Sequence, residues 1–98
     1  MMLQEIEGNP EQQQVLWACL AYWSTEPSPI EKRMVCYSWV LDCYRARFGT
    51  AFHKSVLEKL ARFGWLEKAY TVRGGKRRYY QISDPERLGE SIKKWNLN

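Results

Sequence analysis

Four cations crowd one short stretch of this chain: Arg73, Lys76, Arg77 and Arg78 fall within six positions. Like charges packed around a turn repel one another and add nothing to folding. Their chemistry is therefore outward, the neutralisation of a polyanion with release of its counterions. Upstream, Thr50, His53, Lys54, Ser55 and Glu58 bring polar side chains to the opening turns of an expected helix, with Lys59 and Arg62 further along it. A helix entering a duplex major groove reads base edges through its first turns, and there Lys54 can donate to guanine while Glu58 accepts from cytosine N4. Thr50, His53, Lys54, Ser55 and Glu58 are thus the candidate base contacts. Lys59, Arg62, Arg73, Lys76, Arg77 and Arg78 are the candidate backbone contacts. A solvated helix face and an edge hairpin guarded by charge are the competing structural explanations. The occurrence of both features side by side favours nucleic acid.

Other chemistries find little footing. His53 is the single histidine and lacks a partner acid or nucleophile nearby, so it is poor evidence for catalysis. The chain carries no phosphate-binding loop, dinucleotide fingerprint or nucleophile elbow, and an enzyme is not expected. Cys19, Cys36 and Cys43 are odd in number and form no CxxC pair, so reduced, buried thiols are expected and neither a metal nor a cofactor is implied. No apolar run nears the roughly 20 residues that span a bilayer, and the N-terminus lacks a basic region before an apolar one. The expectation is a soluble, cytoplasmic protein with no membrane partner.

Charge is unevenly divided. Residues 1–49 hold four basic and six acidic groups, net −2, whereas residues 50–98 hold eleven and five, net +6. The positive half is the half with the candidate contacts, which suits a polyanionic partner.

The elements that must position these residues can be read from periodicity and punctuation. Residues 1–9 are expected to be flexible, with residues 10–98 forming one domain. A first helix is predicted over 10–24, with Asn9 as cap and Pro10 in its first turn. Its centre, VLWACLAYW, is apolar on nearly every side. After the STEPSP connector a second helix is predicted over 29–48, with Ile30, Met34, Tyr37, Leu41, Tyr44 and Phe48 on one stripe and Cys36, Trp39, Val40 and Cys43 on another. Gly49 ends it and Thr50 is expected to cap a third helix over 51–63. A hairpin over 65–83 turns at Gly74-Gly75, and Ser83-Asp84-Pro85-Glu86 opens a last helix over 85–95 as a capping box. The predicted class is mainly α with a small β-hairpin (α+β), in the order ααα-ββ-α.

Two segments carry a family resemblance. SVLEKLARFGWLEK, residues 55–68, is similar to the end of the recognition helix and the first wing strand of prokaryotic winged helix-turn-helix regulators of the PadR, ArsR and MarR grouping. GGKRRYYQIS, residues 74–83, resembles their second wing strand, with basic residues ahead of a Tyr-Tyr pair. The likeness extends over about residues 50–85. It implies a winged helix-turn-helix in which 51–63 is the recognition helix and 65–83 the wing.

The function expected on these grounds is sequence-specific binding of double-stranded DNA by a small transcriptional regulator. The alternative is a winged-helix module that contacts another protein without reading DNA. Apolar surface in excess of one buried face per helix suggests a homodimer, with Trp17, Leu20, Trp39, Leu88, Ile92 and Trp95 as interface candidates.

Overall fold

A computed structural model describes residues 9–69 and 77–97. Among these residues four α-helices, one 3-10 turn and three strands follow the order α1 (Pro10–Thr25), η1 (Ile30–Lys32), β1 (Val35–Cys36), α2 (Tyr37–Phe48), α3 (Ser55–Arg62), β2 (Leu66–Lys68), β3 (Tyr79–Ile82) and α4 (Pro85–Lys94). The class is α+β, mainly helical with a small antiparallel sheet.

α1 begins where the side chain of Asn9 accepts from the Gln12 N–H at 3.1 Å, with Pro10 in the first turn. An N–H left orphaned at the helix start is thereby satisfied, and proline loses nothing there. The helix is central: it packs on α2, α3, α4 and β1. Its apolar girth is used within the chain, since Val15, Leu16, Ala18 and Cys19 are wholly buried. Burying a Leu such as Leu16 contributes roughly 2 kcal/mol from water removal alone.

The helix predicted over 29–48 is broken. A 3-10 turn occupies Ile30–Lys32, the chain then extends, and α2 starts only at Tyr37. Two interactions outweigh the helical periodicity. Arg33 folds back on the end of α1, donating from Nε to the Ser28 carbonyl at 2.9 Å and from Nη1 to the Trp23 carbonyl at 3.3 Å, with its guanidinium 4.8 Å from the Trp23 ring. Val35 and Cys36 then pair with Tyr80 and Tyr79, which makes β1 the third strand of a sheet ordered β1-β3-β2. A β-branched residue fits a pleated position better than a helical one. One casualty is Ile30, predicted to lie on an inward stripe but 62% exposed.

α3 is also shorter than predicted, and Thr50 does not cap it. Phe52 is buried in the core, and its carbonyl accepts from the Tyr37 hydroxyl at 2.6 Å. Val56 N–H therefore bonds to His53 O and Leu57 N–H to Lys54 O, a tighter first turn that starts after the Phe52 anchor. At the other end Gly64 has φ +90°, with Trp65 N–H bonding to Leu60 O and Gly64 N–H to Ala61 O. This paired pattern closes a helix by way of a left-handed residue. It also swings the chain directly into β2, whose Leu66, Glu67 and Lys68 pair with Ile82, Gln81 and Tyr80 of β3.

α4 starts with Asp84, not Ser83, as its cap: the Asp84 carboxylate accepts from the Arg87 N–H at 3.1 Å. Leu88 and Ile92 of α4 join Val40, Tyr44, Val56, Leu57, Leu60, Tyr80 and Ile82 in one core. Arg47 draws the C-terminal end onto α2, donating to the Leu97 carbonyl while it stacks 4.4 Å from the Trp17 ring.

Residues 1–8 of the expected flexible stretch 1–9, the Gly74-Gly75 turn, and the strand positions Tyr70 and Val72 lie outside the described residues, whereas Asn9 is the cap of α1.

Candidate nucleic-acid interface

α3 turns Val56, Leu57 and Leu60 inward, which leaves its other face to solvent. Thr50, His53, Lys54, Ser55, Lys59 and Arg62 are exposed and Glu58 is half-buried. Across from this face, Arg77 and Arg78 enter β3, both exposed. The two groups share one cleft of about 710 Å³, lined by His53, Lys54, Ser55 and Glu58 on one side and Arg77 and Arg78 on the other. Glu58 and Arg78 are ion-paired across it.

Sheet pairing produces this convergence. Tyr80 pairs with both Val35 and Lys68, so β3 is the middle strand and its entry runs back over the start of α3. Tyr80 lies beneath the cations, and burial pushes its hydroxyl pKa up while the Arg78 charge partly offsets that shift. Tyr79, the other half of the pair, packs on Trp39 with ring centroids 5.7 Å apart.

At the mouth of α3, His53 Nδ1 accepts from the Ser55 N–H at 3.1 Å. Since Nδ1 accepts, the neutral ring carries its proton on Nε2. The Ser55 hydroxyl lies 2.9 Å from the same nitrogen, a histidine–serine contact the sequence reading did not anticipate. The Nδ1 lone pair thus satisfies the first N–H of α3 from a residue ahead of the helix. It leaves Nε2 as a donor.

Some candidates fall elsewhere. Thr50, Lys59 and Arg62 do not line the cleft, and Arg73 and Lys76 lie outside the described residues. Besides Leu57 and Tyr80, expected in the core, two further lining residues went unforeseen, Tyr37 and Ser38 from the first turn of α2. They could be found only by recognising that the second helix starts after Cys36. The sole hint was a β-branched Val35 beside Cys36, too short a signal to compete with a run of helical spacing.

The interface candidates for a second subunit are corrected. Leu88 and Ile92 are in the core, at 0% and 4% exposure, and cannot face a partner. Trp17, Leu20, Trp39 and Trp95 are half-buried with partners inside the chain. Trp17 meets Phe48 edge-on, Trp39 stacks on Tyr22, and Trp95 lies against Trp65.

Among the described residues no group of His, Cys, Asp or Glu could hold a metal ion, and no helix is long and apolar enough to cross a membrane. Compared with known proteins, the chain matches no family model, no curated protein and no solved structure.

Proposed function

We propose that α2, α3 and the β2–β3 hairpin form a winged helix-turn-helix that binds double-stranded DNA sequence-specifically, as a small cytoplasmic transcriptional regulator. The observation that carries this is the shared cleft: the polar residues at the start of α3 and the cations that lead into β3 open onto the same space. A helix-turn-helix uses its second helix in the major groove while the first crosses the backbone. Here the entry to α3 supplies His53 and Lys54, and α3 itself Ser55 and Glu58, to base edges. The start of α2, with Ser38 exposed, faces the same cleft and offers N–H groups to phosphate. Arg77 and Arg78 take the adjacent backbone.

The test is binding of the full chain to random-sequence duplex DNA, followed by fluorescence anisotropy across a salt series. Affinity should fall steeply with salt. Arg77→Ala should flatten the log–log slope by about one unit, near 0.9 for the phosphate contact removed. Absent or salt-insensitive binding would reject DNA and favour a module that docks on another protein. Stronger competition by RNA than by duplex DNA would reassign the polyanion.

A further inference from the structure

We propose that Glu58 is a specificity-determining residue, which holds Arg78 in the free protein and yields it to a DNA phosphate only where a base-edge amino group receives the displaced carboxylate. This rests on the duplex-DNA reading above.

Glu58 belongs to α3 and Arg78 to the entry of β3, so their ion pair ties the two halves of the cleft together. Arg78 is 67% exposed and Glu58 38%. Pairs this wet add little to folding, so stability does not account for the arrangement. Position does. Among the described residues, Glu58 is the one acidic group in a lining that also holds His53, Lys54, Arg77 and Arg78. A carboxylate there opposes every phosphate that approaches and occupies the cation that would bind it.

Phosphate contact carries no sequence information by itself. Here it is made conditional. When a phosphate takes Arg78, the Glu58 carboxylate is left in the groove and partly stripped of water. In the major groove cytosine N4 and adenine N6 are the amino donors, and cytosine N4 is the partner that suits a carboxylate. Where that donor is present the carboxylate is satisfied. Where it is absent an unpaired charge remains beside phosphates, which is costly. The Glu58–Arg78 exchange thus couples a backbone contact to the base under α3.

The test uses four full-length proteins: wild type, Glu58→Gln, Arg78→Ala and the double variant. Gln keeps the size and helix preference of Glu, and Glu58→Ala serves as a second neutralising variant should Glu58→Gln melt abnormally. On random-sequence duplex DNA at roughly 50 mM salt, Glu58→Gln should bind about threefold tighter, and the gain should shrink in the Arg78→Ala background. In selection from a random duplex pool, wild type should enrich cytosine at one position of its site and Glu58→Gln should lose that preference. Wild-type binding with no tightening in Glu58→Gln overturns the proposal. So does tightening that persists undiminished without Arg78, or an unchanged base preference. If wild type binds no duplex at all, the DNA reading falls and this proposal falls with it.

Discussion

The Tyr37 hydroxyl donates to the Phe52 carbonyl at 2.6 Å while the two rings meet edge to face, their centroids 5.2 Å apart and their planes at 84°. This contact bolts the start of α2 to the segment that delivers His53 and Lys54. Tyr37→Phe keeps the ring packing and leaves the Phe52 carbonyl without its donor. A buried acceptor left unsatisfied costs about 1–3 kcal/mol, so the variant should lose stability of that order in urea denaturation. Duplex affinity should fall as well, since the first turn of α3 loses its anchor. The salt slope should not change, because no cation is removed. A changed slope would mean that Tyr37 itself meets phosphate.

Gly49 stands at the end of α2 with φ +72°, and a Cβ built there meets nothing within 4 Å. The space is open, so only backbone conformation resists a side chain. Gly49→Ala should therefore cost about 1 kcal/mol, and Gly49→Asn less, since Asn tolerates the left-handed region. Thermal melts of the two variants decide it. Equal losses for both would point to a contact made by the side chain rather than to the dihedral angle.

The helix ends and the pairing of β2 with β3 were legible where the signal was local. Asn9-Pro10 started α1, Gly49 and Gly64 stopped helices, and the inward stripe Val56, Leu57, Leu60 oriented α3. What was not legible came from distant partners. β1 exists because Val35 and Cys36 find Tyr80 and Tyr79, more than 40 positions away, and no periodicity in residues 29–48 announces it. α3 starts late because Tyr37 claims a carbonyl 15 residues on. The same holds for the site. The polar face of α3 could be read from sequence, but Ser38 and the Glu58–Arg78 pair needed the sheet to bring three elements to one cleft.

Apolar surface in excess of one buried face per helix suggested a second subunit, and the packing within the chain removes that motive. Trp17, Trp39 and Trp95 each lie against a ring of the same chain, and Leu88 and Ile92 are core. Among the described residues the one large hydrophobic side chain that is strongly exposed is Ile30. A specific interface hides about 800 Å² per partner around an apolar centre, which one isoleucine does not supply. Sedimentation velocity at tens of micromolar, roughly the range of weak interfaces, should return the monomer mass. A dimer mass that Ile30→Ser abolishes would restore the homodimer, with the Ile30–Lys32 turn as its contact.

Alkaline pH should unfold this protein earlier than its charge suggests. Burial pushes the Cys19 thiol pKa well above the ordinary range, and the neighbouring Cys43 adds to the shift. Cys43 is raised by burial and by Asp42. Burial and the bond to the Glu26 carboxylate lift Tyr22 to about 12. Each of these groups stays protonated when folded at a pH where the unfolded chain gives up its proton. The unfolded state then binds fewer protons, so stability is full below the unfolded values and falls as pH rises past them. Those values are about 8.5 for Cys and about 10 for Tyr, which sets the onset near pH 8.5 and a steeper loss above 10. Cys19→Ala should lower Tm at pH 7, through lost packing, yet lose less between pH 8 and 10 than the wild type does. Melts followed by circular dichroism across that range provide the measurement. A wild-type Tm that stays flat to pH 10 would mean that Cys19 and Cys43 reach solvent before the fold opens.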